Sequence, residues 1–270
     1  MKNQVKYAVI FGAESGLAKA ATEKLVENGF VVFAFDIKYE ATVSKGNVTY
    51  SHADVTSDSD LSAAFALVSA VTDKVDVISN FSGVVILGSL VELPADHLTK
   101  ILSVNLVGTY RVNEKFFPLV LNAGGRIINI SSEYSRITAI PFHAYYALTK
   151  RALDVYNDSL RRELKGSPVS VTAIRPGAFR TNMQAGIIGQ FDTLVNETKR
   201  YKKPLLKMKS IMLKELDKAR SPELFAKTYL KAALKKRPAR YYSVNNSFKM
   251  KVLSALPATL VDFIFGVYFK

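Results

Sequence analysis

Val5-Lys-Tyr-Ala-Val-Ile-Phe11, continuing directly into Gly12-Ala-Glu-Ser-Gly16-Leu-Ala18, is the stretch from which the fold is read. The first part is short, apolar and rich in β-branched and aromatic side chains, the composition of a buried strand. Lys19 to Asn28 is a run of strong helix formers, and Gly29 is a natural C-terminal stop. Strand, glycine turn and helix in this order form the setting of a dinucleotide phosphate site. Glycines let the backbone approach a pyrophosphate, and a helix N-terminus offers free N–H groups and the positive end of a dipole.

Working outward, Val31-Val-Phe-Ala-Phe-Asp36 is a second buried strand, ending in an acid 20 residues beyond Gly16. A carboxylate there hydrogen-bonds the adenosine ribose hydroxyls and repels a 2′-phosphate, so NAD(H) is the expected cofactor. Lys38, close by, leaves NADP(H) open. Further strands are expected at Val48–His52, Val75–Ser79, Gly125–Ile130, Ser170–Ile174 and Tyr241–Val244, the first two being Tyr7–Phe11 and Val31–Asp36. Strand and helix patterns alternate, which predicts an α/β fold: a Rossmann-type, doubly wound parallel sheet of about seven strands with helices on both faces. With 270 residues, 49% of them hydrophobic, the chain reads as a single domain over 1–270. Within it, 1–180 is the dinucleotide-binding and catalytic core, 181–250 a basic substrate-binding segment with the last strand, and 251–270 an apolar tail.

Tyr146-Ala-Leu-Thr-Lys150 opens a helical run that continues to Tyr156. Side chains four apart share a helix face, roughly 5–6 Å apart at Cβ. An ammonium beside a phenol stabilises the phenolate, so the spacing predicts a Tyr146 pKa drawn down from ~10 and a usable proton donor and acceptor. Between the glycine turn and this pair lie three polar segments. Asp76-Val-Ile-Ser-Asn80-Phe-Ser-Gly83 reads as a strand entering a turn, Ser103-Val-Asn105-Leu-Val-Gly108 as part of an apolar helix, and Arg126-Ile-Ile-Asn-Ile-Ser131-Ser132 as a strand ending in hydroxyls.

Taken together, these motifs resemble the short-chain dehydrogenase/reductase family, over about residues 5 to 185. The glycine loop maps to Gly12–Ala18, the Asn-Asn-Ala-Gly motif to Asn80–Gly83, and the helix Asn to Asn105. The Ser maps to Ser132, Tyr-x-x-x-Lys to Tyr146/Lys150, and Pro-Gly to Pro176-Gly177. The resemblance implies a catalytic set of Asn105, Ser132, Tyr146 and Lys150, with Asn105 holding a relay water. It implies cofactor contacts from Gly12, Glu14, Ser15, Gly16, Leu17, Asp36, Asp54, Val55, Asn80, Ser82, Gly83, Tyr146, Lys150, Pro176, Gly177 and Thr181. Within those, Asp54 would receive the adenine amino group and Thr181 the carboxamide. The chain departs from the family pattern at Phe11, Ala18, Phe81 and Ser82. Tyr146 follows Ser132 by 14 residues where 13 is commoner. Tyr145 would restore 13, but five residues from Lys150 is about 140° off around the helix. Tyr146 is therefore assigned.

Charge is uneven. Residues 1–180 hold 19 Lys/Arg against 17 Asp/Glu, and residues 181–270 hold 18 against 6. The basic clusters, Lys199–Lys203, Lys207–Arg220 and Lys227–Arg240, suit an anionic partner such as phospholipid headgroups. Nothing there resembles a nucleic-acid-binding module. The 18-residue stretch Val252–Phe269 is strongly apolar, but Pro257 and Asp262 interrupt it, so it is expected to lie on a membrane surface or pack on the protein rather than span. Its first apolar segment is too short for a signal peptide, and the chain has no Cys, which fits a reducing cytoplasm. His52, His97 and His143 show no metal-ligand spacing, and each defaults to a structural or surface role. No metal is expected.

Ser132-Glu-Tyr-Ser, Pro141-Phe, Tyr156–Lys165 and Arg175–Thr181 look like the retinol and hydroxysteroid dehydrogenase branch. That resemblance implies a lipophilic secondary alcohol or ketone, a homodimer or homotetramer built on the Ala95–Phe117 and Tyr146–Lys165 helices, and a cytoplasmic location with peripheral membrane contact. The enzyme alternative is a 3-oxoacyl/3-hydroxyacyl oxidoreductase taking CoA or carrier-protein substrates. The alternative from another class is a non-catalytic NAD(H) sensor, against which the presence of both Tyr146 and Lys150 counts.

Overall fold

Side-chain alternation in the first strand sets the layers. β1 (Lys6–Phe11) sends Ala8 and Ile10 to one core and Val9 and Phe11 to the other, and all four are fully buried. A strand apolar on both sides must be covered on both sides. The computed structural model describes residues 5–269; Met1–Gln4 and Lys270, the ends of the expected domain, lie outside the described residues.

α1 (Gly16–Glu27) follows the glycine turn, its N-terminus capped by Ser15 Oγ, which accepts from Ala18 N at 3.2 Å. It begins three residues earlier than the helix formers suggested, because the capped Gly16-Leu-Ala turn is already helical. β2 (Phe30–Asp36), β3 (Val43–Lys45), β4 (Val48–His52), α2 (Asp58–Ser69) and β5 (Val77–Asn80) come next. α3 (Ala95–Leu102) runs through a π-helical turn at Ser103–Gly108 into α4 (Thr109–Ala123). Asn105 therefore lies in a π turn, where an ordinary helix was expected; such turns are frequent at functional sites.

β6 (Arg126–Ile130), α5 (Ala144–Glu163), β7 (Ser170–Pro176), α6 (Asn182–Glu197), α7 (Lys202–Leu216), α8 (Pro222–Leu234), β8 (Tyr241–Val244), α9 (Phe248–Ala255) and α10 (Ala258–Phe269) complete the chain. The sheet order is β3-β4-β2-β1-β5-β6-β7-β8. Every pairing is parallel except β3 with β4. Eight strands replace the seven expected. The extra one, Val43-Ser-Lys45, is an exposed edge of three residues with no apolar periodicity to betray it. β5 begins at Val77, two residues later than expected, because Val75 N bonds to Leu119 O of α4 instead of to a strand. α1 and α8 cover one face of the sheet, and α2, α4 and the end of α5 cover the other.

Pro257 divides the apolar tail into α9 and α10, and no helix among the described residues is long and apolar enough to cross a membrane. The tail packs on the body. Ser247 N donates to Glu133 Oε2 (2.7 Å), Ser254 Oγ accepts from Thr138 N (2.6 Å), and Lys207 Nζ donates to Tyr268 O (2.7 Å). Large apolar side chains stay exposed on the tail, Phe248 at 77%, Phe263 at 67% and Val267 at 57%, beside exposed Lys249, Lys251 and Asp262. Val107 and Tyr110 in the α3–α4 rod, and Leu148 and Val155 in α5, are also exposed, on the helices named for a subunit interface.

Candidate active site

The carboxyl ends of β1, β5, β6 and β7 converge on one edge of the sheet, the place where open α/β sheets bind ligands. Gly12 turns the chain off β1 with φ +76°, and a Cβ there would stand 2.3 Å from Ser82 N and 2.6 Å from the Phe81 carbonyl carbon. No side chain fits. A Cβ on Gly16 would meet Thr181 Cγ2 at 3.2 Å, so Thr181 sits over the start of α1. Asp36 lies at the end of β2 with its Oδ2 accepting from Glu14 N (2.9 Å) and its Oδ1 from Lys38 N (3.0 Å). It thereby ties the glycine loop to the neighbouring strand. Glu14 pairs with Lys19, which holds its carboxyl below the usual range. Leu17 packs against the core under α1.

The next loop is braced internally. Asp54 Oδ1 accepts from Thr56 N and Thr56 Oγ1, both at 2.8 Å, and buried Val55 fills the space against Gly108. Asn80 is turned into the core. Its Nδ2 donates to Asn113 Oδ1 and Asn129 Oδ1, each at 2.7 Å, and Asn129 Nδ2 donates on to Asn157 Oδ1 at 2.8 Å. This buried amide ladder joins β5, α4, β6 and α5, and three of its members (Asn113, Asn129 and Asn157) went unnoticed in the sequence.

Ser132, Tyr146 and Lys150 come together as expected. Ser132 lies close enough to the Tyr146 phenol to lower its pKa, and the Lys150 ammonium lies 5.6 Å from the centroid of the Tyr146 ring. Lys150 Nζ donates to Ile130 O at 2.8 Å. Asn105, fully buried, accepts from Val84 N (2.8 Å) and donates to Val84 O (2.9 Å) and Thr149 Oγ1 (3.1 Å). A Cβ on Gly83 would touch both Asn105 Oδ1 (3.4 Å) and Lys150 Nζ (3.6 Å), so the three are neighbours. Ser131 Oγ and Arg175 hold Asp154 behind Lys150, the Arg175–Asp154 pair at 2.7 Å.

One expectation is corrected. The Tyr146 phenol is pushed up to about 12 by burial, with the neighbouring Ser132 opposing. The Lys150 ammonium is pulled down to about 8, again by burial, with Asp154 opposing. Helix spacing puts a cation beside the ring, but it cannot show that both groups lose their water, and here lost hydration outweighs attraction.

Ser132, Tyr146, Pro176 and Gly177 line a cavity of about 1020 Å³. The remaining wall mixes apolar side chains (Val85, Ile140, Ile187, Met208, Ile211 and Met212, with Phe248, Leu253, Ile264, Phe265 and Tyr268 of the tail) with the charged ones of Arg180, Glu215, Asp217, Lys218, Arg220 and Lys249. Tyr145, by contrast, is buried and does not line this space. Two cavity residues were missed. Glu133 is buried beside Ser132, its carboxyl raised by loss of water, and it anchors α9. Of the structural or surface role expected for His143, burial excludes the surface one. The residue is 2% exposed, lines the cavity, and stacks on Tyr134 at 5.4 Å between ring centroids. Its place one turn before Tyr146 was the available signal.

His143 is expected to make the fold acid-sensitive. Burial holds its pKa at about 4, below the ordinary 6.5. Between those values the unfolded chain binds a proton that the folded chain refuses, so stability falls as pH drops through that window. Urea unfolding near neutrality and near pH ~4.5 should show His143→Phe losing less stability than the wild type. Equal losses would assign the acid sensitivity to the carboxylates instead.

Comparison with known proteins agrees with this geometry. A family model described as short chain dehydrogenase matches residues 6–190. The probable short-chain type dehydrogenase/reductase VdlC of Helicobacter pylori is 33% identical over 185 residues, 66% of this chain and 66% of that protein. Human retinol dehydrogenase 16 is 34% identical over 188 residues, 65% of this chain and 57% of that protein. The match thus spans somewhat less than two thirds of each of these relatives. A solved short-chain dehydrogenase from Streptomyces avermitilis superposes with a TM-score of 0.74, covering 99% of this chain and 93% of that one at 21% identity, a likeness of fold.

Proposed function

This chain belongs to the short-chain dehydrogenase family, and from that membership we propose that it is an NAD(H)-dependent oxidoreductase of a lipophilic secondary alcohol and its ketone. The observation that carries the reading is that Ser132 and Tyr146, with Lys150 5.6 Å from the Tyr146 ring, stand at the wall of a large cavity to which Ile, Met, Leu and Phe side chains contribute alongside charged ones. Retinol dehydrogenase 16, whose name gives a lipophilic alcohol, supports the substrate class.

The loop after β1 has the form that suits a dinucleotide, a glycine turn at Gly12 (φ +76°) leading into the N-terminus of α1 at Gly16. Gly12, Glu14, Ser15, Gly16 and Leu17 would cradle the pyrophosphate at the N-terminus of α1. Asp36 keeps a free lone pair on each oxygen for ribose hydroxyls after accepting Glu14 N and Lys38 N. Asp54 and Val55 would flank the adenine, and Asn80, Ser82 and Gly83 the ribose path. Pro176, Gly177 and Thr181 would flank the carboxamide. When bound, the nicotinamide supplies or accepts the hydride.

The chain's own groups handle position and the proton. Tyr146 gives a proton to the substrate oxygen in reduction and takes it in oxidation, while Ser132 holds the same oxygen. Lys150, cationic at neutral pH, holds the nicotinamide ribose and steadies charge on Tyr146 as it forms. Asn105, behind Lys150, is assigned the water relay.

A panel of steroids, retinoids, long-chain secondary alcohols and 3-hydroxyacyl-CoAs, each with NAD⁺ and NADP⁺, tests the reading. Turnover of a lipophilic alcohol is expected, with a tenfold NAD⁺ preference amounting to about 1.4 kcal/mol. Turnover of the acyl-CoAs alone moves the assignment to the 3-hydroxyacyl class. A preference for NADP⁺ removes Asp36 as the discriminator, and no turnover with either cofactor refutes the proposal.

We further propose that the tail covers the cavity and rests on anionic lipid through its exposed side. The support is the exposed Phe263 and Val267 of α10, which packs against the basic helix α7. Full-length protein should co-sediment with phosphatidylserine vesicles at low salt, and protein lacking residues 252–270 should not. If the intact chain ignores the vesicles, the tail is a wall only.

A further inference from the structure

The proton step assigned above uses Ser132, Tyr146 and Lys150, and a buried ion pair stands behind them without a part in it. Asp154 and Arg175 are 8% and 5% exposed. Arg175 Nε donates to Asp154 Oδ2 at 2.9 Å, and a terminal guanidinium nitrogen lies 2.7 Å from the same oxygen. The other carboxylate oxygen accepts from Ser131 Oγ at 2.8 Å. Tyr241 of β8 covers the guanidinium, its ring centroid 3.3 Å from the central carbon, and its hydroxyl donates to Asp154 O at 3.2 Å.

Each member adjoins a group that the reaction needs. Ser131 precedes Ser132 just past β6, Arg175 precedes Pro176-Gly177 at the end of β7, and Asp154 lies one helical turn after Lys150 on α5. Lys150 is pinned to the same strand end, its Nζ donating to Ile130 O at 2.8 Å. The two strand ends are themselves joined, since Ser131 N donates to Ile174 O at 2.8 Å. α5 is thus tied to β6 at Lys150 and Asp154, and to β7 through Asp154.

A buried ion pair is poor evidence for stability. Both charges lose their hydration on burial, and apolar side chains of similar volume commonly serve as well or better. What the ion pair adds is direction, because a planar guanidinium with two N–H groups on one oxygen fixes an angle as well as a distance. That direction is imposed between the helix carrying Tyr146 and Lys150 and the turn that follows Pro176.

We infer that Asp154 and Arg175 are positioning residues for the reaction: their pair holds Lys150, and with it Tyr146, in place against Ser132 and the Pro176-Gly177 turn, so that its removal lowers turnover without lowering stability. This rests on the alcohol–ketone reading above and adds to it two residues outside the cavity wall.

The test is the double substitution Asp154→Leu/Arg175→Met, which removes both charges at similar volume. Asp154→Asn alone strands the Arg175 guanidinium in the interior and can unfold the chain for that reason. Full-length wild type and double variant are compared by urea unfolding, by fluorescence titration with NADH, and by kcat and KM with NAD⁺ and the panel alcohol that the wild type oxidises fastest. The unfolding midpoint should stay at or above that of the wild type. NADH affinity and KM should change by no more than about threefold, while kcat falls about 10²-fold, the cost of misplacing groups that must meet within a fraction of an ångström. Arg175→Lys, which keeps the charge but not the two-point contact, should lower kcat by about tenfold at wild-type stability. A stable double variant with wild-type kcat overturns the inference and leaves the pair to packing. If the double variant unfolds, Arg175→Lys decides: the tenfold loss at wild-type stability upholds the inference, and wild-type kcat or an unfolded chain overturns it. A wild type that oxidises no alcohol of the panel with either cofactor refutes the oxidoreductase reading itself, whereas failure of this inference alone leaves the wild type active.

Discussion

Tyr146→Phe is expected to abolish turnover while leaving NADH binding nearly intact. The substitution removes one oxygen, the one beside Ser132, and keeps the ring that packs against Tyr134 and faces Lys150. Losing a positioned proton donor slows a reaction by about 10²–10⁴-fold. Tyr145→Phe is the control. Its hydroxyl lies outside the cavity, so kcat should change little. Fluorescence titration with NADH, read beside kcat, separates loss of chemistry from loss of binding. If Tyr145→Phe is the inactive variant, the assignment along α5 is wrong by one residue.

Gly12→Ala should damage both the fold and cofactor affinity, and a second glycine shows why. Gly12 and Gly29 have nearly the same backbone angle, φ +76° and +79°. A Cβ on Gly29 meets nothing within 4 Å, whereas one on Gly12 meets backbone atoms of Phe81 and Ser82 under 3 Å away. Gly29→Ala therefore reports the left-handed strain alone, about 1 kcal/mol. Gly12→Ala adds an unrelievable overlap and should cost about 2–4 kcal/mol. Urea unfolding of both variants measures the difference, and NADH titration shows whether the loop between β1 and α1 has opened. Equal costs at the two positions would mean that the β1 and β5 turns are not in the contact described.

The elements legible in the sequence were those whose neighbours are near in the chain or whose burial is complete. β1, β2, β4 and β8 are apolar or aromatic runs, and each was placed within a residue. Tyr146 was chosen over Tyr145 by helix geometry alone, and the cavity agrees. β3 could not be read because three exposed residues leave no pattern. The amide ladder of Asn80, Asn113, Asn129 and Asn157 joins residues up to 49 positions apart within each hydrogen bond, so spacing cannot reveal it. His143 was given a structural or surface role, and only its burial, invisible in spacing, decides between the two. The direction of the Tyr146 shift was misread for a related reason. A sequence shows which charge is near but not how much water has been removed, and burial is decided by segments as distant as α7 and the tail.

The tail, Phe248 to Phe269, is at once wall and outer surface, and this makes its two faces thermodynamically reciprocal. If an agent on the outer side shifts the position of α9 and α10, the affinity of the cavity changes by some factor. Filling the cavity must then change the affinity for that agent by the same factor. A ligand in the cavity would be sensed on the outside of the molecule, and a surface outside would be sensed by the ligand. The hydrogen bonds from Ser247 to Glu133 and from Thr138 to Ser254 are the joints through which that coupling passes, and Glu133 adjoins Ser132 in the chain.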